Sequence, residues 1–246
     1  MKSWPSKSLR DAAVGVLAAL TTASSPPGPD AATIAADAVR TLAAERHGVT
    51  SFVQQYAYEE RGPAHAKTNG SYQVRVRDDG RLVAVKIVSE QSDGNPTSPA
   101  DVAKDQANLD KQLPSDDYVL PTDAKGLADY RIANAACTEC PAGTQAVAFT
   151  SLKRDDEHGD GIAAIDLATH HFLWIQFSPS VNPSHVDRAT IAMTFGRVLP
   201  DLWDLVGEKQ RYDGHVLFMH GWAEVKRTFS GYRRFASVQD ALNASR

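Results

Sequence analysis

Cys137 and Cys140 are the only cysteines of the chain, separated by Thr138 and Glu139, and this spacing admits a redox pair, half a metal site or a structural clip. A redox pair needs its first thiol at a helix N-terminus, which lowers the thiol pKa. Here Pro141, Ala142 and Gly143 follow and a strand pattern resumes. A four-ligand zinc site needs a second Cys or His pair that no spacing announces. The clip is the favoured reading, oxidised if the chain is exported.

His170 and His171 are adjacent, so on a strand they point to opposite faces. His215 and His220, five apart in one strand-like run, should also diverge. Residues 156–161 have the outline of a calcium loop, with oxygen-bearing side chains at alternate positions and Gly161 sixth. The third position, however, is His158, and the twelfth, where a bidentate Glu belongs, is Leu167. A solvated hairpin tip is expected there. The chain has no Gly-x-Ser-x-Gly and no His-Glu-x-x-His, and residues 220–224 carry His and Glu in the wrong order for a zinc peptidase helix. No glycine loop fit to cradle phosphate follows a strand. Dispersed carboxylates leave an acid–base pair open, because such pairs are defined by geometry. The expectation is a non-enzymatic protein with no cofactor and no metal, a hydrolase with an unrecognised site being the least favoured class.

The N-terminus argues for export. Lys2, Lys7 and Arg10 precede an apolar run over residues 12–20, then small residues and Pro26-Pro-Gly-Pro29. This is the layout of a secretory signal, with cleavage expected after Ala23. The apolar run falls well short of the roughly 20 residues of a membrane-spanning helix, so no transmembrane anchor is expected. The chain divides into a signal peptide (1–23), a linker (24–29) and a single domain (30–246). Loss of three basic residues and Asp11 would move the net charge from −4 to −6. An acidic domain without clustered Lys and Arg is a poor partner for nucleic acid. The expected location is periplasmic or secreted.

Along the domain, Asp30 can cap a helix to about Arg46, whose stripe is Ile34, Ala35, Ala38, Val39 and Leu42, and Gly48 ends it. The period then changes to two: Phe52, Gln54, Tyr56 and Tyr58 share one side of a strand. Residues 72–76 and 82–88 form a hairpin through Asp78-Asp-Gly80. Ser98, Pro99 and Asp101 begin a second helix, residues 98–113, whose apolar residues Val102, Leu109 and Leu113 are sparse. Such a helix lies on a surface and suits a lid. Strand-like runs then recur at 130–136, 145–152, 161–167, 171–177, 188–198, 202–211, 215–220 and 222–229, with a turn expected at Asp213-Gly214. Ten or eleven strands and two early helices give a mainly β (α+β) fold: an antiparallel meander curled around the helices.

This layout resembles the LolA-type periplasmic lipoprotein carriers and sorting factors, together with the related sensor domains of anti-sigma regulators. The resemblance rests on the N-terminal helix, the aromatic strand 52–58, the inserted helix 98–113, residues 161–166 with Thr169, and the closing stretch 229–235. It implies a curved antiparallel sheet forming an incomplete barrel, whose concave apolar face receives acyl chains beneath lid helices. It carries over no functional residue.

The apolar alternation gives the remaining signal. Phe172, Trp174 and Gln176 should share one face and Leu173, Ile175 and Phe177 the other, while Ala189, Ile191, Met193 and Phe195 form one face of their strand. Phe52, Tyr56, Trp174 and Phe195 are therefore the candidate ligand-binding residues, and Val102, Leu109 and Leu113 the candidate lid contacts. The leading class is an exported binding protein for an apolar or acylated ligand. The alternative is an envelope signalling or interaction domain that senses lipidated ligands or docks to an envelope partner.

Overall fold

The computed structural model describes residues 30–62, 66–113, 118–216 and 219–244. The expected export signal and linker lie outside the described residues. The elements run α1 (Ala31–Glu45), β1 (Val49–Arg61), β2 (Ala66–Asp78), β3 (Arg81–Ser92), β4 (Asn95–Pro96), α2 (Pro99–Lys111), α3 (Ala124–Leu127), β5 (Tyr130–Ala135), β6 (Thr144–Ser151), β7 (Gly159–Asp166), β8 (Phe172–Pro179), β9 (Val186–Leu199), β10 (Leu202–Val216), β11 (Met219–Phe235) and α4 (Val238–Asn243). Among the described residues all eleven strands form one sheet in the order β4-β3-β2-β1-β11-β10-β9-β8-β7-β6-β5. Every pairing is antiparallel, and β1 pairs with β11 inside the sheet, joining the β1–β4 run to the β5–β11 run. The sheet curves without closing into a barrel. Its free edges are β4 and β5, and α2 and α3 lie between them in the chain.

Local chemistry explains the boundaries. Ser98 Oγ accepts the Asp101 backbone N–H at 3.2 Å and opens α2, whereas Asp30 stands at the N-cap of α1 without a side-chain cap bond. Asp79 and Gly80, at φ 46° and 77°, make the two-residue turn between β2 and β3. Both central residues of that turn type need positive φ, which Asp-Gly supplies. Two short helices, α3 and α4, carry too few residues to show a periodicity in sequence.

The core fills only one half of the concave face. The α1 stripe packs against Val147, Phe149, Ala163, Ile165, Phe172, Ile175, Phe177 and Ile191 from β6 to β9. Gly161 sits where a Cβ would lie 2.7 Å from the Phe149 ring and 2.2 Å from the Gln176 carbonyl oxygen, so only glycine lets the ring and the neighbouring strand approach this closely. Sequence alternation misassigns one strand here. The pairing jumps from Trp174↔Ala164 to Phe172↔Ile165, making Leu173 an extra, bulged residue. Phe172 therefore joins Ile175 and Phe177 in the core, and Trp174 turns to the outer face with exposed Gln176.

The expected turn at Asp213-Gly214 is also corrected. β10 runs on to Val216, and Asp213 and Gly214 pair with Trp222 and Gly221 of β11. The glycine serves a close approach instead: a Cβ there would stand 2.1 Å from the His185 carbonyl oxygen.

Candidate functional site

Beyond the reach of α1, the concave face of β10, β11, β1, β2 and β3 stays open. A cavity of about 720 Å³ lies between this half of the sheet, α2, and residues 118–126 before β5. Its wall on the β9 side is apolar, with Met193 and Phe195 joined by Leu205 and Phe229, and Leu109 of α2 and Leu120 face it from the cover.

The sheet wall is polar. Cross-strand pairing sets Glu208, Arg227, Tyr56, Ser71 and Glu90 side by side in one lateral row across β10, β11, β1, β2 and β3. Arg227 donates to Glu208, and its guanidinium lies 5.8 Å from the Tyr56 ring centre. Gln210 also donates to Glu208, Tyr212 Oη donates to Gln210 Oε1 at 2.5 Å, and the Tyr212 and Tyr118 hydroxyls are 3.0 Å apart. Glu208, Gln210 and Tyr212 occupy alternate positions on β10, so one face of that strand carries a hydrogen-bonded chain from the cavity floor to the cover. Arg75 Nη1 donates to Gln54 Oε1 at 2.9 Å on the same wall, where Gln54 is only 4% exposed. Burial first, and the nearby Asp105 carboxylate of α2 second, raise the Glu90 pKa above the usual carboxylate value.

At one end of the cavity Arg46 and Arg77 converge on buried Asp204. Arg46 Nε stands 3.2 Å and Arg77 Nη1 3.1 Å from Asp204 Oδ2. Burial pushes the Asp204 pKa up, but the two guanidinium groups outweigh it and hold the carboxyl below its ordinary value.

The cover is lightly held. No α2 residue is fully buried, and the helix is attached by Gln106, whose Oε1 accepts the Ile87 N–H at 2.8 Å while its Nε2 donates to the Val85 carbonyl at 2.9 Å. One side chain thus supplies the donor and acceptor that a further strand would offer to the β3 edge.

The expected site residues separate. Tyr56, Phe195 and Leu109 line the cavity, whereas Phe52, Trp174, Val102 and Leu113 do not. Phe52 stacks on Tyr232 at 5.0 Å in a packed cluster with Phe229 and Leu202, and Leu113 lies beyond the end of α2. Gln54, Arg75, Glu208 and Arg227 escaped sequence reasoning. Their signal was a central strand polar on both faces, Gly207 to Tyr212, which an apolar core does not tolerate.

The Cys137 and Cys140 sulfurs are bonded at 2.05 Å in the β5–β6 connection. His158 does not belong to a solvated tip: it is 3% exposed, with Nδ1 2.7 Å from Asp155 Oδ1 and Nε2 3.3 Å from Asp129 Oδ2. Hydrogen bonds from Lys153 to Asp129 and from His158 to Asp155 lower both carboxyl pKa values. His170 and His171 precede β8 rather than lying in it; His171 Nε2 is 2.8 Å from Glu45 Oε1 and its ring stacks on Trp203. His215 and His220 do not diverge, because they sit on two strands and face each other as a cross-strand pair. Among the described residues no group of three His, Cys, Asp or Glu side chains could hold a metal ion, and no histidine ring hydrogen-bonds a serine, threonine or cysteine.

No family model matches the chain, and no curated protein matches it. Solved structures do. A DUF1329 family protein from Desulfovibrio piger is similar at 10% identity and a TM-score of 0.42, over 86% of this chain and 96% of that one. A LolA superfamily protein from Nitrosomonas europaea is similar at 9% identity and a TM-score of 0.33, over the same shares, 86% and 96%. MucB is similar at 11% identity and a TM-score of 0.29, over 80% and 93%. The LolA superfamily that the sequence resembles is thus among the similar structures.

Proposed function

We propose that this chain is an exported, non-catalytic binding protein whose half-open sheet takes up an amphipathic ligand, an acyl chain with a polar head, beneath α2 and residues 118–126. The carrying observation is the cavity of about 720 Å³, apolar on its β9 side and polar on its β1, β2 and β11 side. Its volume falls in the usual range for small-molecule sites, about 300–1,000 Å³, and fixed polar groups on an otherwise apolar wall are what orient such ligands. Burying a methylene contributes about 0.8 kcal/mol, so an eight-carbon chain gains roughly 6 kcal/mol before the cost of immobilisation. That suits reversible binding. The reading includes residues 1–23 as the export signal, a periplasmic or secreted location, and residues 30–246 as one domain.

Titration of the purified protein with a fluorescent fatty acid tests it, alongside mass spectrometry of a solvent extract of protein taken from the envelope. Saturable binding and a co-purified amphiphile are expected. No saturable binding to the folded protein would overturn the reading.

The attachment of α2 through Gln106 favours a second reading, an envelope domain that signals ligand occupancy to a protein partner by shifting that helix. Amide exchange of α2 that changes on ligand binding would separate a sensor from a simple carrier.

A further inference from the structure

We propose that His215 and His220 form a surface site for one divalent transition-metal ion that favours imidazole, such as copper(II), nickel(II) or zinc(II), with Asp187 as its orienting outer-shell carboxylate. The inference is independent of the cavity ligand. His215 on β10 and His220 on β11 are direct cross-strand partners, so both side chains leave the same face of the hairpin. Their ring centres are 5.9 Å apart, with the planes at 43°. A metal–nitrogen bond of about 2.0–2.1 Å puts each ring centre roughly 3 Å from the ion, so two rings sharing one ion have centres up to about 6 Å apart. The observed spacing already lies within that span.

A third strand sets the chemistry of one ring. Asp187 Oδ2 on β9 stands 2.8 Å from His215 Nδ1. A carboxylate at Nδ1 orients the ring and favours the tautomer that leaves the Nε2 lone pair for a metal. The backbone is fixed as well: His215 N–H donates to the His185 carbonyl at 3.0 Å, and Asn182 Nδ2 donates to the Asp187 carbonyl at 2.9 Å. The His215 and Asp187 side chains are 44% and 50% exposed, so an ion reaches them from solvent without any opening of the fold. His215 lies at an odd position of β10, on the face opposite Glu208, Gln210 and Tyr212, and the site therefore faces away from the cavity. With two protein nitrogens, water completes the coordination, and imidazole ligation selects copper, nickel or zinc over calcium or magnesium.

The test is titration of the chelator-treated protein with copper(II), followed by electron paramagnetic resonance. One equivalent with hyperfine splitting from two imidazole nitrogens is expected. His215→Asn and His220→Asn should each lose one nitrogen from the spectrum and weaken binding tenfold or more. Asp187→Asn should keep both nitrogens and weaken binding about 10–100-fold. Nickel(II)-induced changes in the His215 and His220 ring proton resonances of the unaltered protein read the same contact without any variant. No bound copper, or stoichiometry and spectrum unchanged in both histidine variants, would overturn the site.

Discussion

Asp204 is 2% exposed and ionised between Arg46, from the end of α1, and Arg77, from β2. In sequence Arg46 reads as a favourable charge in the last turn of a helix. Its partner lies 158 residues away, and no local pattern announces it. Removing one member of a buried pair leaves the others uncompensated, which typically costs 3–5 kcal/mol. Asp204→Ala should therefore lower the unfolding free energy by about 3–5 kcal/mol in urea titrations, and a loss under 1 kcal/mol would show that the arginines find water instead. The pH dependence has a definite sign. A carboxyl held below its unfolded value of about 3.9 stabilises the fold above that pH, and the contribution is lost as pH falls through the folded pKa. As pH falls below about 4 the unaltered protein should lose stability more steeply than Asp204→Asn. Equal slopes would mean that this carboxyl is not depressed.

Strand content was legible because alternation and turn residues are local, and register was not, because bulges are set by the partner strand. The bulge at Leu173 separates Phe172 from Trp174: Phe172 joins Ile175 and Phe177 on the core face, and Trp174, one of the four candidate ligand residues, stays with Gln176 on the other. Gly214 was read as a turn for a similar reason: glycine marks both turns and close approaches, and only the facing His185 backbone distinguishes them. Gly214→Ala should cost about 1–3 kcal/mol, the usual range for forced overpacking, and unchanged stability would place the His185 carbonyl elsewhere. The surface position of α2 was legible from its sparse apolar residues, but its attachment through Gln106 was not. Gln106→Ala leaves the Ile87 N–H and Val85 carbonyl on a bare strand edge. The Ile87 amide should then exchange at least tenfold faster, while global stability falls by only about 1–2 kcal/mol. If Ile87 protection is unchanged, the helix is held by something other than this side chain.

The molecule as a whole divides its concave face between a plug and a vacancy, and the sequence showed only that both faces of several strands are apolar and need cover. One 15-residue helix covers β6 to β9 and cannot also cover β10 to β3. The uncovered half accordingly carries Gln54, Arg75, Glu208 and Arg227 rather than a second apolar core. If that half is a ligand site, filling it from the lid should abolish binding without harming the fold. Leu109 suits this purpose, because it lines the cavity from α2 and is only partly buried, so a larger side chain there meets open space. A ligand that binds only the folded state stabilises it by about 2.7 kcal/mol at one hundred times its dissociation constant. The unaltered protein should therefore show a ligand-dependent rise in melting temperature and saturable uptake of fluorescent fatty acid. Leu109→Trp should keep the ligand-free melting temperature within a few degrees and weaken uptake tenfold or more. Undiminished uptake by a folded Leu109→Trp protein would place the ligand outside this cavity.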